Sequence, residues 1–259
     1  MERDEQRRRA ERFRELHHRD RPLLLPNAWD GASAATVVDA GFEAVATTSA
    51  GVAASLGFGD GERTPADEMF AAIARISSHV DVPVTADVEA GYGLGPSELA
   101  QRLVDAGAVG CNLEDTDHET GLLRSPDDQA RRIADLVEAV HRLGVPVLVN
   151  ARVDVFVRAS GDEGERVELA LERARAYRDA GAGCVYPILA SEGELASFAD
   201  RYDGPVNAMA VGGRVRLSRL AASGVARISF GSQLQRGTQA WLGRSLEAIT
   251  RSDDLWPDA

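Results

Sequence analysis

The sequence predicts one α/β domain, a (β/α)8 barrel, from three observations. Eight short apolar, strand-like runs recur along the chain, segments of helical periodicity separate them, and several of those segments end on the same punctuation. A length of 259 residues suits eight strand-helix units, whereas a doubly wound open sheet usually needs fewer strands.

In chain order, residues 1–20 read as a charged N-terminal helix of alternating sign that ends near Leu16 and presents a solvated face. The expected strands are 23–25, 44–48, 82–87, 110–113, 147–152, 184–188, 206–210 and 227–231. Between them, 98–106 sets Leu99, Leu103 and Ala106 on one helical face, and 167–180 carries Leu169, Leu171 and Ala174. Asp39-Ala-Gly41, Asp105-Ala-Gly107, Asp179-Ala-Gly181 and Ala222-Ser-Gly224 put glycine where a helix end needs a left-handed residue. The barrel is expected over 21–235. Residues 236–259 form a C-terminal helical segment whose Trp241, Leu246 and Ile249 can bury against the barrel or a neighbouring subunit.

Composition narrows the function. Twenty-nine basic against 41 acidic side chains give a net charge of −12, which excludes attachment to nucleic acid by bulk charge. No run approaches the roughly 18 apolar residues of a membrane span, and the charged opening segment lacks a secretory apolar core, so a cytoplasmic protein is expected. Cys111 and Cys184 lie inside apolar runs and read as reduced, buried thiols.

In such a barrel the chemistry sits at the C-terminal strand ends. Asp87 and Glu89 close the third strand with the same parity, and Glu114 or Asp115 ends the fourth. Carboxylates aimed into one space repel unless one is protonated or a cation lies between them. Hard oxygen ligands without convergent Cys or His favour Mg²⁺ or Mn²⁺ over zinc, with Asp60 available through water. On the fifth strand Asn150, Arg152 and Asp154 share one parity, and a guanidinium there suits a substrate carboxylate or phosphonate, or an ion pair with Glu114. Thr47, Thr48 and Ser49 end the second strand as hydrogen-bond donors. Among the five histidines, His118, in the loop after the fourth strand, is placed to transfer a proton. Gly91-Tyr-Gly-Leu-Gly95 has neither dinucleotide nor Walker spacing and reads as a tight turn.

Five stretches, in order, carry a resemblance: Pro26-Asn-Ala-Trp-Asp-Gly-Ala-Ser33, Thr48-Ser-Ala-Gly-Val-Ala-Ala-Ser-Leu-Gly57, Ala86-Asp-Val-Glu-Ala-Gly-Tyr-Gly93, Asn112-Leu-Glu-Asp115 and Asn150-Ala-Arg-Val-Asp154. With them the chain resembles the isocitrate lyase and phosphoenolpyruvate mutase superfamily from about Leu24 to Gly231. The resemblance implies Mg²⁺, a small 2-oxo or 2-hydroxy acid as the partner, and a homo-oligomer, a dimer or a tetramer that exchanges its C-terminal helix. It implies Asp87 as direct metal ligand, with Asp60, Glu89 and Glu114 holding metal-bound waters. Arg152 then grips the substrate carboxylate or phosphonyl group, and Thr48, Ser49 and Ala50 grip its oxo-acid end. Trp29 and Asn207 are further candidate substrate contacts.

The loop after Glu114 departs from that pattern. It reads Asp115-Thr-Asp-His-Glu-Thr-Gly-Leu-Leu-Arg-Ser125, without the lyases' Lys-Lys/Arg-Cys-Gly-His block or the mutases' Lys-Thr-Asn-Ser-like block. A proton donor would have to be His118, Tyr92 or water. The expected activity is Mg²⁺-dependent carbon–carbon lysis or decarboxylation through a metal-stabilised enolate. Phosphonopyruvate-type C–P chemistry and a non-catalytic oxo-acid-binding barrel are the alternatives.

Overall fold

A computed structural model describes residues 1–212 and 216–251, so residues 252–259 of the expected C-terminal segment lie outside the described residues. The elements run α1 (Arg3–Leu16), β1 (Leu23–Leu25), β2 (Asn27–Ala28), α2 (Gly31–Asp39), β3 (Val45–Thr47), α3 (Ser49–Leu56), α4 (Ala66–His79), β4 (Val84–Asp87), α5 (Pro96–Asp105) and β5 (Gly110–Glu114). They continue α6 (Pro126–Arg142), β6 (Leu148–Val153), α7 (Val155–Arg158), α8 (Glu163–Asp179), β7 (Cys184–Pro187), α9 (Glu192–Arg201), β8 (Asn207–Met209), α10 (Leu217–Ala222), β9 (Arg227–Ser229) and α11 (Gln233–Arg251).

Each of the eight expected runs contains strand. The first is β1, and a further strand that the sequence reading did not give, β2, follows it across Pro26, whose nitrogen carries no hydrogen for the ladder. Strands β2 to β7 pair in sequence order, all parallel, and β1-β9-β8 form a second parallel set. A parallel bridge between Val185 and Val206 joins β7 to β8, and the short step across Pro26 joins β1 to β2, so the two sets close into a cylinder. The recurrent helix endings behave as their glycines require: Gly41, Gly107, Gly181 and Gly224 have φ of 88°, 78°, 98° and 76°. At the helix starts, Asp30, Asp162 and Ser191 form reciprocal capping boxes.

The helix α1 differs from its expectation. Gln6, Ala10, Phe13 and Leu16 follow a spacing of one helical face and are buried, so only the arginine and glutamate side is solvated. Gln6 Nε2 donates to the carbonyls of Val104 and Ala108 at 2.9 and 3.0 Å, and Phe13 approaches Gly110 at the N-terminal end of β5. Helix α1 therefore closes the end of the barrel opposite the strand C-termini. Cys111 and Cys184 are buried free thiols, and burial pushes both up to about 12, as their apolar surroundings imply. Among the described residues no helix is long and apolar enough to cross a membrane.

Candidate active site

Asp87, the last residue of β4, is oriented from three sides. Ser49 donates both its backbone N–H and its hydroxyl to Oδ2 at 2.9 Å, and Asn112 Nδ2 reaches Oδ1 at 3.3 Å. The Asp87 N–H in turn donates to Thr47 Oγ1 at 2.8 Å. Ser49 begins α3, which Thr48 caps, so a strand end and a helix start hold the carboxylate jointly. Ser49 Oγ also lies 3.4 Å from Asp60 Oδ1.

Glu89, Glu62 and Tyr92 form a knot beside it. Tyr92 donates its hydroxyl to Glu89 Oε1 at 2.7 Å, the Glu62 N–H donates to Glu89 Oε2 at 2.7 Å, and the Tyr92 N–H donates to Glu62 Oε1 at 2.5 Å. All three have positive φ, of 49°, 58° and 55°, and these bonds offset a conformation that costs a non-glycine residue about 1–2 kcal/mol. Burial first, and then the charges of Asp87 and Asp60, push Glu89 up to about 7 against the hydrogen bonds that lower it.

Arg152 stands at the end of β6, in register with Glu114 on β5. Its guanidinium pairs with Glu114 and, at 2.5 Å, with Asp154, whose other oxygen accepts from Thr116. Burial lowers the affinity of Arg152 for its proton, but Glu114 and Asp154 more than offset this and raise it. Glu114 is raised by burial, while His118 Nε2, 3.0 Å from Glu114 Oε2, is raised mainly by that bond. Behind this group, Asp115 accepts from the Asp154 N–H, from Arg173 and from the Tyr177 hydroxyl at 2.8, 3.0 and 2.8 Å. Arg152 is thus held by a buried polar network anchored on α8.

A cavity of about 420 Å³ opens over these strand ends. Thr48, Ser49, Ala50, Asp60, Asp87 and Arg152 line it. Glu89 and Glu114 are not in its lining: Tyr92 and the Glu62 N–H hold the first, and Arg152 and His118 the second. Tyr92 and His118 are turned to these acids and do not line it either. Trp29 packs against the core beside Gly51, Thr47 is fully buried beneath Asp87, and Asn207 bonds Ser229 at 3.1 Å, all three outside the lining. The sequence reading did not anticipate Asn112, Tyr186, Ser229 and Arg236, or an apolar wall of Ile188, Leu189 and Met209. The signal for Tyr186 was its register with Arg152 across β6 and β7, invisible until strand pairing is known.

The donor set fits a hard divalent cation. Among the described residues no three His, Cys, Asp or Glu side chains gather as a cage, but Mg²⁺ keeps several waters and takes one or two carboxylates. Among the described residues Asp87 and Asp60 are the carboxylates lining the cavity and no Cys or His joins them, and their negative charges add to the burial that pushes Glu89 up.

A parallel barrel that gathers carboxylates, hydroxyls and a guanidinium about one cavity at its strand ends defines a class of proteins with a small-molecule anion site. A family model described as phosphoenolpyruvate phosphomutase matches residues 13–250. The chain belongs to that enzyme family, within the isocitrate lyase and phosphoenolpyruvate mutase superfamily. It is 40% identical to a Burkholderia cenocepacia J2315 protein of known structure, provisionally assigned as a phosphonomutase, over 94% of this chain and 99% of that one, with a TM-score of 0.85. It is 28% identical to 2-methylisocitrate lyase of Bacillus subtilis strain 168, over 76% of this chain and 65% of that one. The structure of an oxaloacetate acetylhydrolase in complex with its product oxalate is also similar, at 25% identity and a TM-score of 0.84, covering 95% of this chain and 88% of that one.

Proposed function

We propose that the protein is a Mg²⁺-dependent enzyme that cleaves or decarboxylates a small 2-oxo or 2-hydroxy carboxylic acid. One observation carries the reading: the carboxylates of Asp87 and Asp60 and the guanidinium of Arg152 face a single cavity. Asp87, with Asp60 through water, would hold the cation, which when bound supplies Lewis-acid polarisation of the acid's oxygens. Arg152, fixed by Glu114 and Asp154, presents its guanidinium to the substrate carboxylate. Thr48, Ser49 and Ala50 meet the oxo-acid end where α3 begins.

The protons available set the order of reactions. The chain contains no lysine, which removes a lysine donor and any Schiff base. No cysteine lines the cavity, and His118 is committed to Glu114. Tyr186 does line it, with burial pushing its hydroxyl up to about 12. Loss of CO₂ needs no general acid, so decarboxylation makes the smallest demand on these side chains, and C–C lysis would draw on Tyr186 or water.

The test is incubation with Mg²⁺ and a panel containing oxaloacetate, 2-methylisocitrate and alkylmalates, with pyruvate, oxalate and CO₂ measured. Turnover of at least one acid, lost on chelation, is expected. Metal binding with no turnover would leave a non-catalytic oxo-acid-binding barrel. The likeness to the Burkholderia protein favours C–P chemistry as a second reading, which phosphorus NMR of phosphonopyruvate decides. A homo-oligomer built through α11 completes the proposal.

A further inference from the structure

Among the described residues Arg227, the first residue of β9, is the largest fully buried side chain, with 0% exposure. Among the described residues no carboxylate lies within ion-pair distance of it, and its Nε and Nη1 have no hydrogen-bond partner. A charge taken out of water without a counter-ion is costly, and a methionine of similar bulk would fill the same space without that cost. Among the described residues, the one hydrogen bond its side chain makes runs from Nη2 to Asn112 Oδ1, at 3.2 Å.

That bond acts on the proposed metal carboxylate. Asn112 Oδ1 also accepts from Asn150 Nδ2 at 2.7 Å, while Asn112 Nδ2 donates to Asp87 Oδ1 at 3.3 Å. A guanidinium can only donate and an ionised carboxylate can only accept. The amide of Asn112 therefore has one workable orientation, with oxygen down toward Arg227 and NH₂ up toward Asp87. Turned over, it would set donor against donor below and oxygen against carboxylate above.

We propose that Arg227 is a positioning residue: through Asn112 it fixes the orientation of the Asp87 carboxylate for the divalent cation. The inference rests on the reading of Asp87 as the metal-holding acid. It gives opposite signs for two effects of removing the guanidinium. Loss of a neighbouring positive charge alone strengthens cation binding, whereas loss of positioning weakens it.

The experiment is calorimetric titration of the intact protein with Mn²⁺, alongside thermal unfolding, for wild type, Arg227→Met, Asn112→Leu and the double variant. Arg227→Met is expected to unfold no lower than wild type and to bind Mn²⁺ about tenfold more weakly, in the range seen when groups behind a ligand are removed. In the Asn112→Leu background the same change is expected to have no further effect, because its route to Asp87 is already gone. Unchanged or tighter Mn²⁺ binding by Arg227→Met overturns the proposal, as does an undiminished effect in the double variant. Should Arg227→Met not fold, Arg227→Lys keeps the charge but loses the planar fork, and wild-type Mn²⁺ affinity there overturns it equally. Absence of Mn²⁺ binding by wild type refutes the reading of Asp87 itself, and the role of Arg227 falls with it.

Discussion

His17 lies in the floor of the barrel, its Nδ1 2.8 Å from the Phe13 carbonyl and its ring edge-on to Phe13. Burial, and then the charge of Arg227, push it down to about 3. Its folded pKa thus lies below the unfolded value of about 6.5, and between the two only the unfolded chain takes up the proton. The stability this group contributes is complete above about pH 6.5 and falls by about 1.4 kcal/mol per unit as pH drops toward 3. His17→Phe should flatten the decline in urea midpoint between pH 6 and pH 4 relative to wild type, and parallel declines would remove His17 as the cause. Single residues differ in how legible they are. Asp87 and Arg152 could be singled out because strand-end position and parity mark them, and Ser49 because it follows a strand end, whereas Asp60, in the loop after α3, had only its charge to mark it. Asn112 and Arg227 could not be paired from the sequence, because they are 115 residues apart and meet only across the interior of a closed barrel.

At the scale of elements, α1 shows how charge can hide packing. Ten residues of Arg3–Leu16 are Arg, Asp or Glu, and the buried face consists of Gln6, Ala10, Phe13 and Leu16, of which only two are large and apolar. Periodicity weighted by hydrophobicity therefore reads the segment as solvated, although the 4-3-3 spacing is that of a packed helix. Its partner is a glycine. A Cβ on Gly110 would stand 2.7 Å from Phe13 Cε1 and 2.8 Å from Thr85 Oγ1, so β5 must begin without a side chain for α1 to seat. Gly110→Ala should lose about 1–3 kcal/mol by overpacking, measured by denaturant unfolding. Phe13→Leu, which frees the nearer contact, should recover part of that loss. If Gly110→Ala matches wild type, α1 does not depend on this contact. The loop after Glu114 was legible only as a departure from a motif. In the fold it is a small hairpin, Thr116 bridging Leu123 and Arg124 paired with Asp117 at 2.7 Å, which turns His118 inward to Glu114.

At the scale of the whole molecule, alternation of runs and periodic segments was sufficient to give topology, because parallel strands joined by helices leave few arrangements. It could not say what covers α11. That helix runs over 19 residues from Gln233 to Arg251 and buries only Gln235. Leu242, Leu246 and Ile249 sit on one face at 40, 54 and 40% exposure. A helix with an apolar face this open gains little from its own barrel, and in proteins most helical stability comes from packing such a face. A second copy of the chain is the proposed cover, and the charge on the chain makes the claim sharp. At −12 per copy, long-range forces oppose association, so apolar burial must supply it and screening must assist it. Light scattering should find an oligomer whose dissociation falls as salt rises from 0.05 to about 0.5 M, since the Debye length shrinks several-fold over that range. Leu246→Glu should give monomers with the barrel's thermal transition retained and helical circular dichroism reduced by the share of α11. A wild-type monomer with α11 fully helical, or a Leu246→Glu oligomer of unchanged mass, would rule out this face as the contact.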